Sequence, residues 1–171
     1  MAKLQNLKPA AKTFAWLEEH GIGNYADLES RSTAVMEKRD ATHAAIKEIE
    51  ARTAELSLVM KHAATYRQLK PVYNRCQQSR DKEKFLRGHE SEIILFEAAA
   101  RELKRMGAVP LPSTESMKTE LAALTGKKDT LLAEYRTARS QAHEYETIRN
   151  NVDALLSVPK EQEQQRRHEL E

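Results

Sequence analysis

Between Tyr25 and Lys70 no helix breaker interrupts the chain, and apolar positions return every seven residues. One row reads Leu28, Val35, Thr42, Ile49, Leu56 and Ala63, and a second, offset by four, reads Ser32, Arg39, Ile46, Thr53 and Met60. Two such rows form the seam of a coiled-coil-like helix, with Arg39, Thr42 and Thr53 as its imperfections. At 1.5 Å per residue this element extends roughly 69 Å. A second long helix is predicted after Leu111-Pro112, where Ser113 is a good N-cap and Glu115 complements the helix dipole in the first turn. Its rows run Met117, Leu124, Leu131, Ala138, Tyr145, Val152 and Leu121, Lys128, Tyr135, Ala142, Arg149, Leu156, ending before Pro159. From Ser113 to Leu156 it extends roughly 66 Å, which matches the first. Two helices of equal length with one apolar seam each fit an all-α fold built on a long antiparallel helical hairpin.

The rest of the pattern supplies a small helical head and a short N-terminal docking helix. Residues 1–23 hold a helix from about Pro9 to His20, with Phe14, Trp16 and Leu17 as apolar anchors and Gly21 as a left-handed stop. Asn24, with Asp27 three residues on, resembles a capping box and starts the next helix at Tyr25. The first long helix takes residues 24–70 and the head 71–112, with Pro71 predicting a kink or break where they meet. Within the head a short helix near Asp81 to Arg87 and a more apolar one from Ser91 to Met106 are punctuated by Gly88 and Gly107. Residues 113–157 form the second long helix, and 158–171, almost wholly Glu, Gln, Arg and His near the end, read as a frayed or disordered tail.

Composition agrees with this architecture. Charged residues make up 32% and aromatics 5%, with five Gly and five Pro among 171 residues, as in long helices. A formal charge of +2 gives no whole-chain attraction to polyanions, so any such affinity must be local. No apolar run reaches the roughly 20 residues needed to span a bilayer, and no signal-peptide pattern opens the chain, so a cytoplasmic location is expected. The single cysteine, Cys76, builds no disulfide framework and reads as a solvent-facing or half-buried helix position in a reducing compartment.

Catalytic patterns are missing from the sequence. The histidines, His20, His43, His62, His89, His143 and His168, share no short ligand motif. His89-Glu90 with Glu92 has the right ligand types, yet adjacent residues on a helix do not face each other. The glycines are isolated and build no phosphate loop. No cofactor, no metal and no catalytic residue is therefore expected.

Charge placement is more informative. Between Tyr66 and Gly88, seven cations (Arg67, Lys70, Arg75, Arg80, Lys82, Lys84 and Arg87) face only Asp81 and Glu83, a local excess of five. Tyr66, Tyr73 and Phe85 lie among them, a mixture able to neutralise phosphates and stack on unpaired bases. These cations and Phe85 are the candidate DNA-binding residues. A solvated helix face with its aromatics buried against the hairpin fits the same pattern.

Several segments resemble the C-terminal region of relaxases, the mobilisation nucleases of conjugative and mobilisable elements in Gram-positive bacteria. They are Asn6-Leu7-Lys8, Ala10 to Thr13, His20-Gly21-Ile22, Tyr25 and Leu28. Lys84-Phe85-Leu86, His89-Glu90, Ile93, Leu95 and Leu111-Pro112 follow. Glu134-Tyr135-Arg136, Ala138-Arg139, Asn151-Val152-Asp153 and Leu155-Leu156 complete the match. The resemblance runs from about Leu4 to Leu156 and implies a whole protein that nicks one strand at a transfer origin with a tyrosine and a histidine-bound metal. That machinery belongs to an N-terminal nuclease domain, and none of it maps here. The expected role is an accessory module, with single-stranded or duplex transfer-origin DNA or transfer-machinery proteins as partners. The alternative is a structural coiled coil that spaces domains or forms a homodimer, without nucleic-acid contact.

Overall fold

The computed structural model describes the backbone of residues 7–168 and the side chains of residues 10–157. Among these are four helices and no strand: α1 (Leu7–Glu19), α2 (Tyr25–Gln78), α3 (Lys82–Arg105) and α4 (Thr114–His168). They fall into two units, one of residues up to Ala45 with those from Leu131, the other Ile46–Thr130, and α2 and α4 contribute to both.

In the first unit, α1 ends as Gly21 predicts. Gly21 takes φ +62°, its N–H donates to Glu18 O at 3.0 Å, and Ile22 N–H donates to Leu17 O at 2.9 Å, a Schellman closure. The face of α1 turned to the hairpin carries Thr13, 1% exposed, whose hydroxyl accepts from Asn151 Nδ2 at 3.1 Å. Trp16 stacks on His20 with centroids 3.8 Å apart and meets Tyr145 edge-on at 5.0 Å. Phe14, expected as an anchor, is instead 61% exposed, because the helix turns Thr13, Trp16 and Leu17 inward and leaves Phe14 beside them. Asn24 caps α2 by accepting from Asp27 N at 2.9 Å. The reciprocal half of a capping box is not made, since the Asp27 carboxylate pairs with Arg31 at 2.9 Å. Ile22, Leu28 and Ile148 form the buried cluster here, with Trp16, Leu17, Tyr145 and Val152 packed on it.

In the second unit, Leu56, Val59, Ala63, Leu103 and Met117 make the core, and Met60, Met106, Leu121 and Leu124 close around it. The helix α2 passes through Pro71 and continues to Gln78, so the break expected at residue 70 is absent. Proline removes one i to i−4 hydrogen bond at a cost of about 3 kcal/mol. Packing beyond it offsets that loss: Tyr73 stacks on Phe96 at 4.3 Å, and Cys76 is 4% exposed rather than half-buried or solvent-facing. The helix α3 opens on Asp81, whose carboxylate accepts from Lys84 N at 3.0 Å. A kink at His89 (φ −133°, ψ 23°), directly after Gly88, divides it into a short first helix and a longer apolar one, as the sequence predicts. Its buried stripe is Ile93, Phe96, Ala99 and Leu103. Gly107, at φ +67°, repeats the Schellman closure with Ala108 N–H donating to Leu103 O at 2.9 Å.

The hairpin is antiparallel. In the first unit Tyr25 meets Asp153 and His43 stacks on Tyr135 at 5.3 Å. In the second, Glu50 pairs with Lys128 and Arg52 with Glu120, each at 2.8 Å, so partners descend along α4 as they ascend along α2. Both heptad rows of α2 turn inward, with Leu28, Ser32, Thr42, Ile46, Ile49, Leu56 and Ala63 buried. On α4 the buried seam residues are Met117, Ala138 and Ala142. Leu124 and Leu131 are only half-buried, and Leu156, expected in the seam, is 54% exposed. The predicted end before Pro159 is also corrected, because α4 continues to His168 through a run of good helix formers. Residues 169–171 lie outside the described residues.

Candidate nucleic-acid interface

The candidate cations sit on the last turns of α2, the 79–81 turn and the first turns of α3, all within the second unit. Ser113 Oγ caps α4 by accepting from Ser116 N at 3.0 Å, and this capped start is where Arg67 is committed. Its Nη1 donates to Thr114 Oγ1 at 2.6 Å and its Nη2 to Pro112 O at 2.5 Å. Arg67 is thus a tie between α2 and the start of α4, not a free cation. Lys70 holds its Nζ 5.6 Å from the centroid of the Tyr66 ring.

The aromatics are engaged as well. Tyr66 and Tyr73, one heptad apart on α2, both stack on Phe96 of α3, at 4.8 and 4.3 Å. Both rings therefore serve the packing of α3 on α2. Phe85 stacks on His89 at 4.4 Å and is half-buried, covering the site where α3 departs from helical geometry. The His89 ring in turn meets the Glu92 carboxylate through Nδ1. Among the described residues no group of three or more His, Cys, Asp or Glu is arranged to hold a metal ion.

Five cations remain exposed around the turn: Arg75, Arg80, Lys82, Lys84 and Arg87. Arg87 pairs with Glu83 at 3.6 Å, with both side chains over four-fifths exposed, a contact of little strength in water. Arg75 lies in the last turn of α2, where the helix dipole favours a cation. The side chains of Arg75, Arg80, Lys82 and Lys84 make no hydrogen bond or ion pair among the described residues.

A second basic surface escaped the sequence reading. In the first unit a cleft of about 580 Å³ is lined by Arg39, Arg136, Arg139, Ser140, His143 and Glu146. Arg39 had registered only as a flaw in the seam. It is half-buried, and its Nε donates to Asp40 Oδ1 at 2.8 Å, a bond that holds the Asp40 carboxyl below its ordinary range. The signal was present as Arg136, Arg139 and His143 at i, i+3 and i+7, but the partner from α2 emerges only once the antiparallel register is set. Among the described residues no helix is long and apolar enough to cross a membrane. The chain matches no protein-family model, no curated protein and no solved structure.

Proposed function

We propose that this chain is a non-catalytic accessory module of a conjugative relaxase, working in the cytoplasm, that helps to hold transfer-origin DNA against the nuclease part of the protein. The observation that carries the DNA contact is the set of exposed cations at the α2–α3 turn, Arg75, Arg80, Lys82 and Lys84, free of side-chain partners among the described residues. Such groups neutralise phosphates and release counterions, giving affinity without sequence preference. Because Tyr66 and Tyr73 are stacked on Phe96, the contact runs through charge rather than base stacking. The relaxase assignment itself rests on the order and spacing of the resembling segments.

The experiment is fluorescence anisotropy of the chain with single-stranded and duplex oligonucleotides at rising salt. Binding that weakens linearly on a log–log plot supports the reading. No binding at low ionic strength removes it.

A second reading has its own observation. Leu86, Ile94 and Leu95 on α3 are 39%, 57% and 55% exposed, an apolar set suited to docking a transfer-machinery protein. The alternative of a dimerising coiled coil is less well supported, because the seam rows of α2 are buried within a single chain.

A further inference from the structure

The basic cleft of the first unit has features that a solvated helix face does not require. Arg136, Arg139 and His143 share one stripe of α4, and the two arginines, three residues apart, repel unless a counter-charge is near. Arg39 faces them from α2 and lines the same cleft of about 580 Å³. Two carboxylates are close. Asp40 is taken up by Arg39 Nε, and Glu146, the single acid lining the cleft, lies close enough to Arg39 to act on its charge. Neither Arg136 nor Arg139 makes a hydrogen bond or ion pair among the described residues, so both planar forks are open to a ligand. The Ser140 hydroxyl and the His143 ring add further hydrogen-bonding groups.

Guanidinium forks are suited to bidentate capture of phosphate oxygens. The donors are strung along a helix rather than converging on one point. From Arg136 to His143 the axial rise is roughly 10.5 Å, so the donors are spaced to meet successive phosphates of a strand rather than a single anion. Arg136, Arg139, Ser140 and His143 are all exposed, so a strand can lie along the cleft without threading into it. We infer that this cleft is a second phosphodiester-binding site, taking the backbone of a nucleic-acid strand between Arg39 of α2 and Arg136 and Arg139 of α4. The inference rests on the DNA-binding reading above and adds a site on a different unit, made of different residues.

The test measures the salt dependence of oligonucleotide binding by the full chain and its variants. Removing two phosphate contacts with Arg136→Gln and Arg139→Gln lowers the log–log slope by about 1.4 on single strands and about 1.8 on duplex. Affinity at low salt falls at least tenfold, and helix content by circular dichroism is unchanged because both side chains are exposed. The paired change Arg136→Lys and Arg139→Lys keeps the slope while weakening binding, as expected when charge stays and the fork is lost. A double glutamine variant with the parent's slope and affinity, alongside a turn variant that loses both, overturns the cleft and leaves the turn site standing. A His143 ring-proton shift on adding inorganic phosphate, in a chain without oligonucleotide affinity, overturns the nucleic-acid occupant. A parent with no affinity for either probe overturns the cleft and the turn together.

Discussion

The hydroxyl of Tyr25 donates to Oδ1 of Asp153 at 2.6 Å, joining residues separated by 128 positions in the sequence. This bond ties the first turn of α2 to α4 and fixes the antiparallel register in the first unit. The Asp153 carboxylate, by accepting this hydrogen bond, favours the protonated phenol and raises the Tyr25 pKa above its ordinary 10.0. The folded protein therefore holds this proton more tightly than the unfolded chain. The stabilisation is complete below pH 10 and fades as pH rises through the raised value. An NMR titration of the tyrosine ring protons should find Tyr25 ionising above that ordinary value, and Asp153→Ala should bring it back towards it.

Core truncations separate buried from half-buried seam positions. Leu28 is 1% exposed and Leu56 4%, so replacing either by alanine should cost about 2–5 kcal/mol, read as a lower Tm or denaturant midpoint. Leu131→Ala should cost less, because Leu131 is half-buried. Equal losses at Leu28 and Leu131 would mean that the inward face of α4 is misassigned.

Arg67 offers a test of structure against binding. With its guanidinium on Pro112 O and Thr114 Oγ1, Arg67→Gln should lower stability by about 0.5–1.5 kcal/mol. Its effect on the salt slope of DNA binding should be negligible. A large change in slope with unchanged stability would place Arg67 back among the phosphate contacts.

Much of the architecture was legible because local signals agreed with the fold. Gly21, Asn24 and Ser113 mark helix ends through backbone chemistry that needs no tertiary context, and the heptad rows of α2 name its buried face. Pro71 misled because its local cost is offset by long-range packing of Tyr73 and Cys76, which no window of sequence contains. Leu124 and Leu131 misled for a related reason: at this stretch of α4 the deeply buried positions are Ala138 and Ala142, while these two leucines stay half-exposed. At the candidate interface the cations were found by charge counting, but counting could not tell Arg67, which is bonded within the chain, from Lys82 and Lys84, which are not. The aromatics could not be assigned either, since their common partner Phe96 lies on another helix.

The most direct measurement for the DNA reading is the salt slope of the variant carrying Arg80→Gln, Lys82→Gln and Lys84→Gln, compared with the parent on the same oligonucleotides. All three side chains are exposed, so helix content and Tm should be retained. With three phosphate contacts gone, the slope should fall by roughly 2.1 on single strands and 2.7 on duplex, with affinity reduced at least tenfold at low salt and no change in sequence preference. A variant that binds DNA with the parent's slope and affinity would contradict the account, removing the α2–α3 turn as the contact surface.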